Sequence, residues 1–394
     1  IFQLLFKLGE KMNLLELKKK IGRSKSYLIL KKIIIKSFYY LPINGKKIVF
    51  DNFGGRGYGD DPKYIAEEIR KKYNNDFKLI WLTSDMKSEF PVEIKPVKYG
   101  TIRAAYHLST SKIWIDNIKS SIKVEKKSNQ YYIQTWHSTL GFKMNEQDAE
   151  LLPQKYIREA KKDAAITDLM YSNNDFRIEK YRNRYWYNGE VIKCDVPRMS
   201  ILFDCPKTLK HQICRKYSIN EYKKIVLYAP TFRKDSNIEL FKMNYEEVLL
   251  AMKKKFGGDF VLLIRLHPNE AIYSKDLISQ NSKNIFDLSM YPDMQEILAI
   301  SDILITDYSG CMFDFGFVEK PVFLFAKDLE KYKLNERKMY FSIEEVPFTI
   351  AESEIDLITN INNFNYDEYR YNCNAFKNKI GFNDSGKGAE IITN

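Results

Sequence analysis

Ser301-Asp-Ile-Leu-Ile-Thr-Asp-Tyr-Ser-Gly310-Cys-Met-Phe-Asp-Phe-Gly-Phe-Val-Glu-Lys320-Pro-Val-Phe-Leu-Phe-Ala-Lys-Asp-Leu-Glu330-Lys-Tyr332 is the stretch whose reading decides the fold. It predicts a buried strand (Ile303–Thr306), a polar turn (Asp307–Gly310), a helix (Cys311–Val318) and a second apolar strand (Val322–Phe325). A strand that breaks at Asp-Tyr-Ser-Gly and enters a helix leaves unpaired backbone N–H groups facing the turn, and these suit a phosphate. The same residues also fit an ordinary strand–helix–strand crossover in which Ser309 caps the helix.

The alternation continues outward in both directions. Strands are expected at Lys47–Phe50, Phe77–Leu82, Lys112–Ile115, Tyr131–Thr135 and Ala164–Thr167, with helices at Pro62–Lys72 and Thr101–Leu108. After Cys205 the pattern restarts: helix Lys207–Tyr217, strand Lys223–Tyr228, helix Tyr245–Phe256, strand Phe260–Arg265 and strand Asn284–Phe286. Strands alternating with helices imply parallel, doubly wound sheets. The expected fold is therefore α/β and GT-B-like: two Rossmann-like domains facing a central cleft, preceded by a basic helical segment. The boundaries fall at residues 1–44, 45–203 and 204–394. Ligands of such sheets bind at the carboxyl ends of the strands, where His137, Thr231, Arg233, His267 and Asp307 all lie.

A chain of 394 residues is long enough for two cores, and 44% hydrophobic and 14% aromatic residues fill them. The net charge of +12 admits nucleic acid, an anionic membrane face or an anionic substrate as partner. No nucleic-acid-binding motif accompanies it, and the lysines are interspersed with acids, so nucleic acid is set aside. Five cysteines without Cys-x-x-Cys spacing point to a reducing compartment with no disulfide framework. Cys311, after the turn, reads as a small packing residue or a thiol of lowered pKa. No 18-residue apolar run and no cleavable signal are present. The chain opens on Ile1, which fits a portion of a longer protein. Ile1, Leu4, Leu5, Leu8, Met12, Leu15 and Leu17 recur at roughly helical spacing ahead of Lys18-Lys19-Lys20 and Arg23. Tyr27–Lys36 is apolar with embedded lysines. Both segments suit an anionic leaflet, or a pair of helices packed on the first domain.

Six blocks occur in a fixed order: Gly54–Ile65, Gln134-Thr-Trp-His137 with Phe142-Lys143, Val196-Pro197-Arg198, Leu227–Arg233, Arg265-Leu-His-Pro268 and Ser301–Tyr332. Asp384–Ala389 is a weaker seventh. Together they resemble the CDP-glycerol glycerophosphotransferase family over roughly residues 47 to 394. The resemblance implies transfer of glycerol phosphate or ribitol phosphate from a CDP-activated donor to a hydroxyl of a lipid-linked or polyol-phosphate acceptor. CMP leaves, in teichoic acid or capsule biosynthesis. It further implies a cytoplasmic enzyme, peripheral on the inner face of the cell membrane, with CDP-glycerol or CDP-ribitol as co-substrate and no further cofactor.

Such a transfer needs a base, groups that neutralise the diphosphate, and in-line positioning. By motif position His137 matches the family's base and His267 the histidine that contacts the diphosphate; Asp307 is the third catalytic candidate. Ser309 and the N–H groups of Gly310 and Cys311 would cradle a phosphate. Thr231, Arg233, Arg265 and Asp328 complete the donor side, Asp328 as a ribose contact. Arg233 and Arg265 either face the leaving CMP or pair with a structural carboxylate. Asp307 either orients a histidine, binds ribose, or caps the following helix. Gly54, Gly55, Arg56 and Lys143 are expected on the acceptor side, with Asp60, Asp61 and Lys63 facing the acceptor or capping a helix. The glycine loop lacks both the dinucleotide and the Walker spacing, and no metal-ligand spacing is present. The sequence departs from the family at Ser138–Gly141, Met199-Ser200 and Gly310, which bears on the acceptor and the polyol rather than on the reaction. The competing readings are a GT-B sugar transferase using a nucleotide sugar and an inactive member that binds membrane or polymer.

Overall fold

Two parallel sheets carry the chain. The computed structural model describes residues 25–119, 124–233, 237–267, 270–277, 283–335 and 338–394. The apolar residues from Ile1 to Leu17, the Lys18–Lys20 run, Arg23 and Pro268 lie outside the described residues.

The first sheet contains β1 (Asn44–Asp51), β2 (Lys78–Thr83), β3 (Ile94–Lys98), β4 (Ser111–Asp116), β5 (Tyr131–Gln134), β6 (Leu169–Ser172) and β7 (Glu190–Lys193), in the order β3-β2-β1-β4-β5-β6-β7. The second contains β8 (Lys224–Tyr228), β9 (Phe260–Ile264), β10 (Ile285–Asp287), β11 (Ile303–Thr306), β12 (Val322–Phe325) and β13 (Thr349–Ala351), in the order β10-β9-β8-β11-β12-β13. Every pairing is parallel. In each sheet the strand order reverses beside the first strand, between β1 and β4 and between β8 and β11. That is the doubly wound, GT-B-like arrangement of two Rossmann-like units. Helices cover both faces, so the central strands are apolar throughout: Leu304, Ile305, Phe323 and Leu324 are completely buried.

Several features differ from the reading of the sequence, which did not mark β7 or β13. Ala164–Thr167 is not a strand but the end of the helix Gln154–Ile166, whose Ala160 and Ala164, four residues apart, face the core; the strand follows it, at Leu169. The edge strand β3 escaped notice because Pro96 interrupts its text, and edges tolerate proline. The last residues do not stay with the second half. Asp384 accepts hydrogen bonds from Asn173 Nδ2 (2.7 Å) and from the Val196 N–H (2.9 Å). Asp195 Oδ2 accepts from Ser385 N, Ser385 Oγ and Lys387 N at 2.6–3.0 Å. The helix Gly388–Thr393 then packs on the first-half helix Asp60–Tyr73. A Cβ at Gly388 would lie 2.4 Å from the Val196 carbonyl carbon, so only glycine fits this crossing.

The helix Lys25–Ser37 rests on the helix Ile102–Thr110, with Lys31 Nζ donating to the Gly100 carbonyl at 3.0 Å. Leu28, Ile29, Leu30 and Ile33 on it are exposed. No helix among the described residues is long and apolar enough to cross a membrane.

Candidate functional site

The carboxyl ends of the strands turn both halves toward each other, and each loop there contributes polar groups. In the first half, β5 ends at Gln134 and the chain passes through Trp136, at a positive φ of 57°, into His137. His137 lies between the rings of Trp136 (4.7 Å, stacked) and Phe53 (5.3 Å, edge). Its Nδ1 is 2.7 Å from the Asn117 carbonyl oxygen. A carbonyl only accepts, so Nδ1 carries the proton and Nε2 keeps its lone pair. Burial pushes the His137 pKa below its ordinary value, against the Asn117 bond and Asp60, with Arg198 and Arg177 adding to the fall. The side chain is thus a neutral imidazole near pH 7, in the tautomer a base needs.

Asn117 is fixed in turn. Its Nδ2 donates to Asn52 Oδ1 (2.7 Å) and Asp60 Oδ2 (2.9 Å), and its Oδ1 accepts from the Phe53 N–H (2.8 Å). Asp60 also accepts from Arg198 Nη1 at 3.1 Å. Arg198 is buried where the halves meet: its backbone N–H bonds Asp61 (2.8 Å), Nε bonds Asp314 (3.1 Å) and Nη2 bonds Thr139 Oγ1 (2.9 Å). Burial alone would strip its charge, but Asp314, Asp60 and Asp61 together hold the guanidinium protonated. Asp314 receives a further bond from Gln295 Nε2 (2.8 Å). Asn117, Asp314 and Gln295 were not singled out in the sequence. The Val-Pro-Arg block was, without a role; an arginine set among an adjacent aspartate pair and a distant third is visible only once the fold joins them.

In the second half Asp307, Thr231, Arg233 and Asp328 form one buried cluster. Arg233 donates to Asp328 from Nε (2.8 Å) and Nη2 (3.0 Å), to Asp307 from Nη2 (2.9 Å) and to the Thr231 carbonyl from Nη1 (2.6 Å). Arg233 thus makes the carboxylate pairing that was one of its two expected roles. Asp307 Oδ1 accepts from the N–H groups of Thr231 (2.8 Å) and Tyr308 (2.5 Å). It thus caps its own turn and ties it to the loop after β8, and neither histidine is among its partners. Burial would raise Asp328, but Arg233 and the Tyr308 hydroxyl hold it below its ordinary value. Tyr308 stacks on Tyr332 at 3.6 Å, and Arg233 lies over both rings.

Arg265 bonds the carbonyls of Leu288 (3.2 Å) and Tyr291 rather than a carboxylate. His267, after β9, packs on Phe232. Its pKa is lowered by partial burial and then by Arg56, Arg265 and Lys143. Those three cations come from both halves, and together with burial they favour the neutral imidazole. Lys143 sits 5.3 Å from the Tyr332 ring and is bridged through its backbone to Met339. The loop at Gly54 and Gly55 turns at φ 68° and 86°. A Cβ at Gly55 would lie 2.8 Å from Tyr99 Cβ, and the Gly55 N–H bonds Asp51 at 2.7 Å. The loop presents Arg56 exposed and continues through Gly57 against Pro292 of the other half.

Ser309 and Gly310 open the helix Cys311–Phe317. A Cβ at Gly310 would be 3.6 Å from Ser138 Oγ, which places this turn directly opposite the residue that follows His137. Burial raises the Cys311 thiol to about 11, so it is a packing residue and not a nucleophile. All five cysteines are free. Among the described residues no group of three or more His, Cys, Asp or Glu side chains is placed to hold a metal ion.

The site thus combines a neutral imidazole acceptor, a cationic set and the turn that opens the helix Cys311–Phe317, the components of transfer to or from a phosphate. Comparison with known proteins agrees. The family model described as CDP-Glycerol:Poly(glycerophosphate) glycerophosphotransferase matches residues 33–394. The teichoic acid poly(glycerol phosphate) polymerase of Staphylococcus epidermidis is 31% identical over 89% of this chain and 50% of its own length. The Bacillus spizizenii polymerase of the same name is 28% identical over 91% of this chain and 94% of its own. The chain thus spans about half of the first relative and nearly all of the second. Structures of the wall teichoic acid polymerase TagF cover 97% of both chains, with a TM-score of 0.80 at 29% identity. A form soaked with CDPG gives 0.79 at 28%.

Proposed function

The chain belongs to the CDP-glycerol:poly(glycerophosphate) glycerophosphotransferase family, and from that premise we propose that it transfers glycerol phosphate or ribitol phosphate from a CDP-activated donor to an acceptor hydroxyl. The observation that carries the reading is His137: a neutral imidazole whose proton is committed to the Asn117 carbonyl, across from the turn at Ser309 and Gly310.

In this reading Nε2 of His137 takes the proton of the acceptor hydroxyl. The freed oxygen attacks the phosphorus that bears the polyol, a new phosphoester bond forms, and the diphosphate bridge breaks. CMP leaves with the bridging oxygen, its negative charge met by Arg56, Lys143 and Arg265 and by hydrogen bonds from His267, Ser309 and the Gly310 N–H. Asp307, Thr231, Arg233 and Asp328 hold the donor-side loops in register. The first half takes the acceptor, with Gly54 and Gly55 allowing its close approach, and the second half takes the CDP donor. The acceptor is a polyol-phosphate or lipid-linked glycan. The exposed row Leu28, Ile29, Leu30 and Ile33, flanked by Lys31, Lys32 and Lys36, supports a peripheral position on an anionic inner leaflet.

The test is CMP release from CDP-glycerol and CDP-ribitol, with a polyol-phosphate acceptor, by wild type and His137→Ala. Release with one donor, reduced at least about a hundredfold in the variant, is the expected result. Turnover of UDP- or GDP-sugars in place of both would overturn it.

A further inference from the structure

A second concentration of positive charge lies at the opposite edge of the first sheet, where the strands begin. Lys47 and Lys78 stand in register on neighbouring strands β1 and β2. Lys95 is in register with Ile80, two residues beyond Lys78, so its side chain shares their face. The helix Ile102–Thr110 crosses that face and adds Arg103 and His107. Together they line a groove of about 590 Å³, within the range of small-molecule sites, roughly 300–1,000 Å³.

Among the described residues no carboxylate pairs with this charge. The acid at the rim, Glu93, is taken by Arg70, which donates to it from Nε (3.0 Å) and Nη2 (2.7 Å). Lys47 Nζ is spent on the Thr110 hydroxyl (2.6 Å), a neutral partner. Lys78, Lys95 and Arg103 have no anionic partner among the described residues. His107, 8% exposed, has a buried Nδ1 without a hydrogen-bond partner. The mutual repulsion registers on the two buried members. Lys47 is lowered by burial and by Lys78 and Lys95, and His107 is pushed down to about 4 by burial and by Lys47, Lys95 and Arg103. Like charges set directly opposite each other, as Lys47 and Lys78 are, destabilise a sheet, and a bound anion would offset that cost.

We propose that this groove is a second anion site, distinct from the cleft, that takes a phosphate group between Lys78, Lys95, Arg103 and His107. Arginine and lysine together suit phosphate oxygens, and the His107 ring lines the same groove. The phosphate belongs either to the headgroup of an anionic lipid or to a soluble phosphomonoester. The groove shares the helix Ile102–Thr110 with the apolar helix Lys25–Ser37, and Phe38 packs edge-on against Tyr106 of its wall at 5.8 Å.

Lys78→Gln/Lys95→Gln and Lys78→Glu/Lys95→Glu test it, since both lysines are exposed and neither touches the cleft. One arm measures sedimentation with phosphatidylglycerol–phosphatidylcholine vesicles; the other measures calorimetric binding of glycerol 3-phosphate and inorganic phosphate. Thermal unfolding and CDP-glycerol binding control for fold and cleft. The expected result is a loss of roughly tenfold in affinity in at least one arm, with CDP-glycerol binding unchanged and the melting temperature equal or raised. Loss with vesicles alone assigns the phosphate to a lipid, and loss with the soluble probes assigns it to a phosphomonoester. Wild-type affinity in both variants and both arms, or no binding by wild type in either, overturns the site. The apolar helix is intact in every protein compared, so its own membrane contact cannot produce the difference.

Discussion

His137 and Asp163 show burial acting on two side chains with opposite consequences. For His137 it favours the neutral form, and the Asn117 carbonyl decides which nitrogen keeps the proton. The acid limb of the kcat/KM profile is therefore expected below the ordinary histidine value of about 6.5. A limb at or above that value would show that another group sets it. Asp163 is raised to about 8, first by burial and then by Asp116. One of its oxygens accepts the Tyr132 hydroxyl at 3.1 Å, and the other is buried without a partner. Its folded pKa lies above its unfolded one. Its stabilising contribution is thus full below about pH 4 and is lost as pH rises toward 8. Asp163→Asn should flatten that fall in melting temperature between pH 4 and 8; an unchanged slope would show that Asp163 ionises freely in the folded protein.

At the scale of elements, the loops after β8, β11 and β12 are held by one arginine. Arg233 and its two carboxylates are nearly inaccessible, at 5%, 2% and 7% side-chain exposure for Arg233, Asp307 and Asp328. Arg233→Ala strands both acids and should cost ~3–5 kcal/mol in chemical denaturation; a loss under ~1 kcal/mol would show that the loops hold without it. This scale also separates what the sequence could reveal from what it could not. The helices Lys207–Tyr217 and Tyr245–Phe256 and the strands Ile303–Thr306 and Val322–Phe325 were legible to the residue, because apolar periodicity and flanking turn residues mark them locally. His137, His267 and Asp307 were legible as residues at strand ends. What held them was not. Arg198 draws on Asp60, Asp61 and Asp314, the last of them 116 positions away, and no local pattern records such a meeting. For Arg233, composition could not show the two carboxylates it pairs with, one 74 and the other 95 positions away.

For the whole molecule, the halves are joined by more than the segment between β7 and β8. Lys63 pairs with Asp293 (2.8 Å) and with Glu296, Tyr340 Oη donates to Asp148 (2.7 Å), and Phe142 packs on Phe313 at 5.5 Å. A single cooperative thermal transition is expected for the wild type. Arg198→Met removes the cation that pairs with Asp60, Asp61 and Asp314 together, and should split or broaden that transition while CMP release falls. A sharp single transition at the wild-type temperature would show that the halves do not depend on it. The crossing of residues 384–393 onto the first half also bears on how the protein is made. Asp195 and the helix Asp60–Tyr73 belong to a unit that leaves the ribosome 190 residues or more earlier. Domains emerging in order usually finish in order. Here the first half waits for partners translated after the whole of the second, so until then the nascent first half offers chaperones an unfinished surface, and a ribosome stalled before residue 384 would leave it that way.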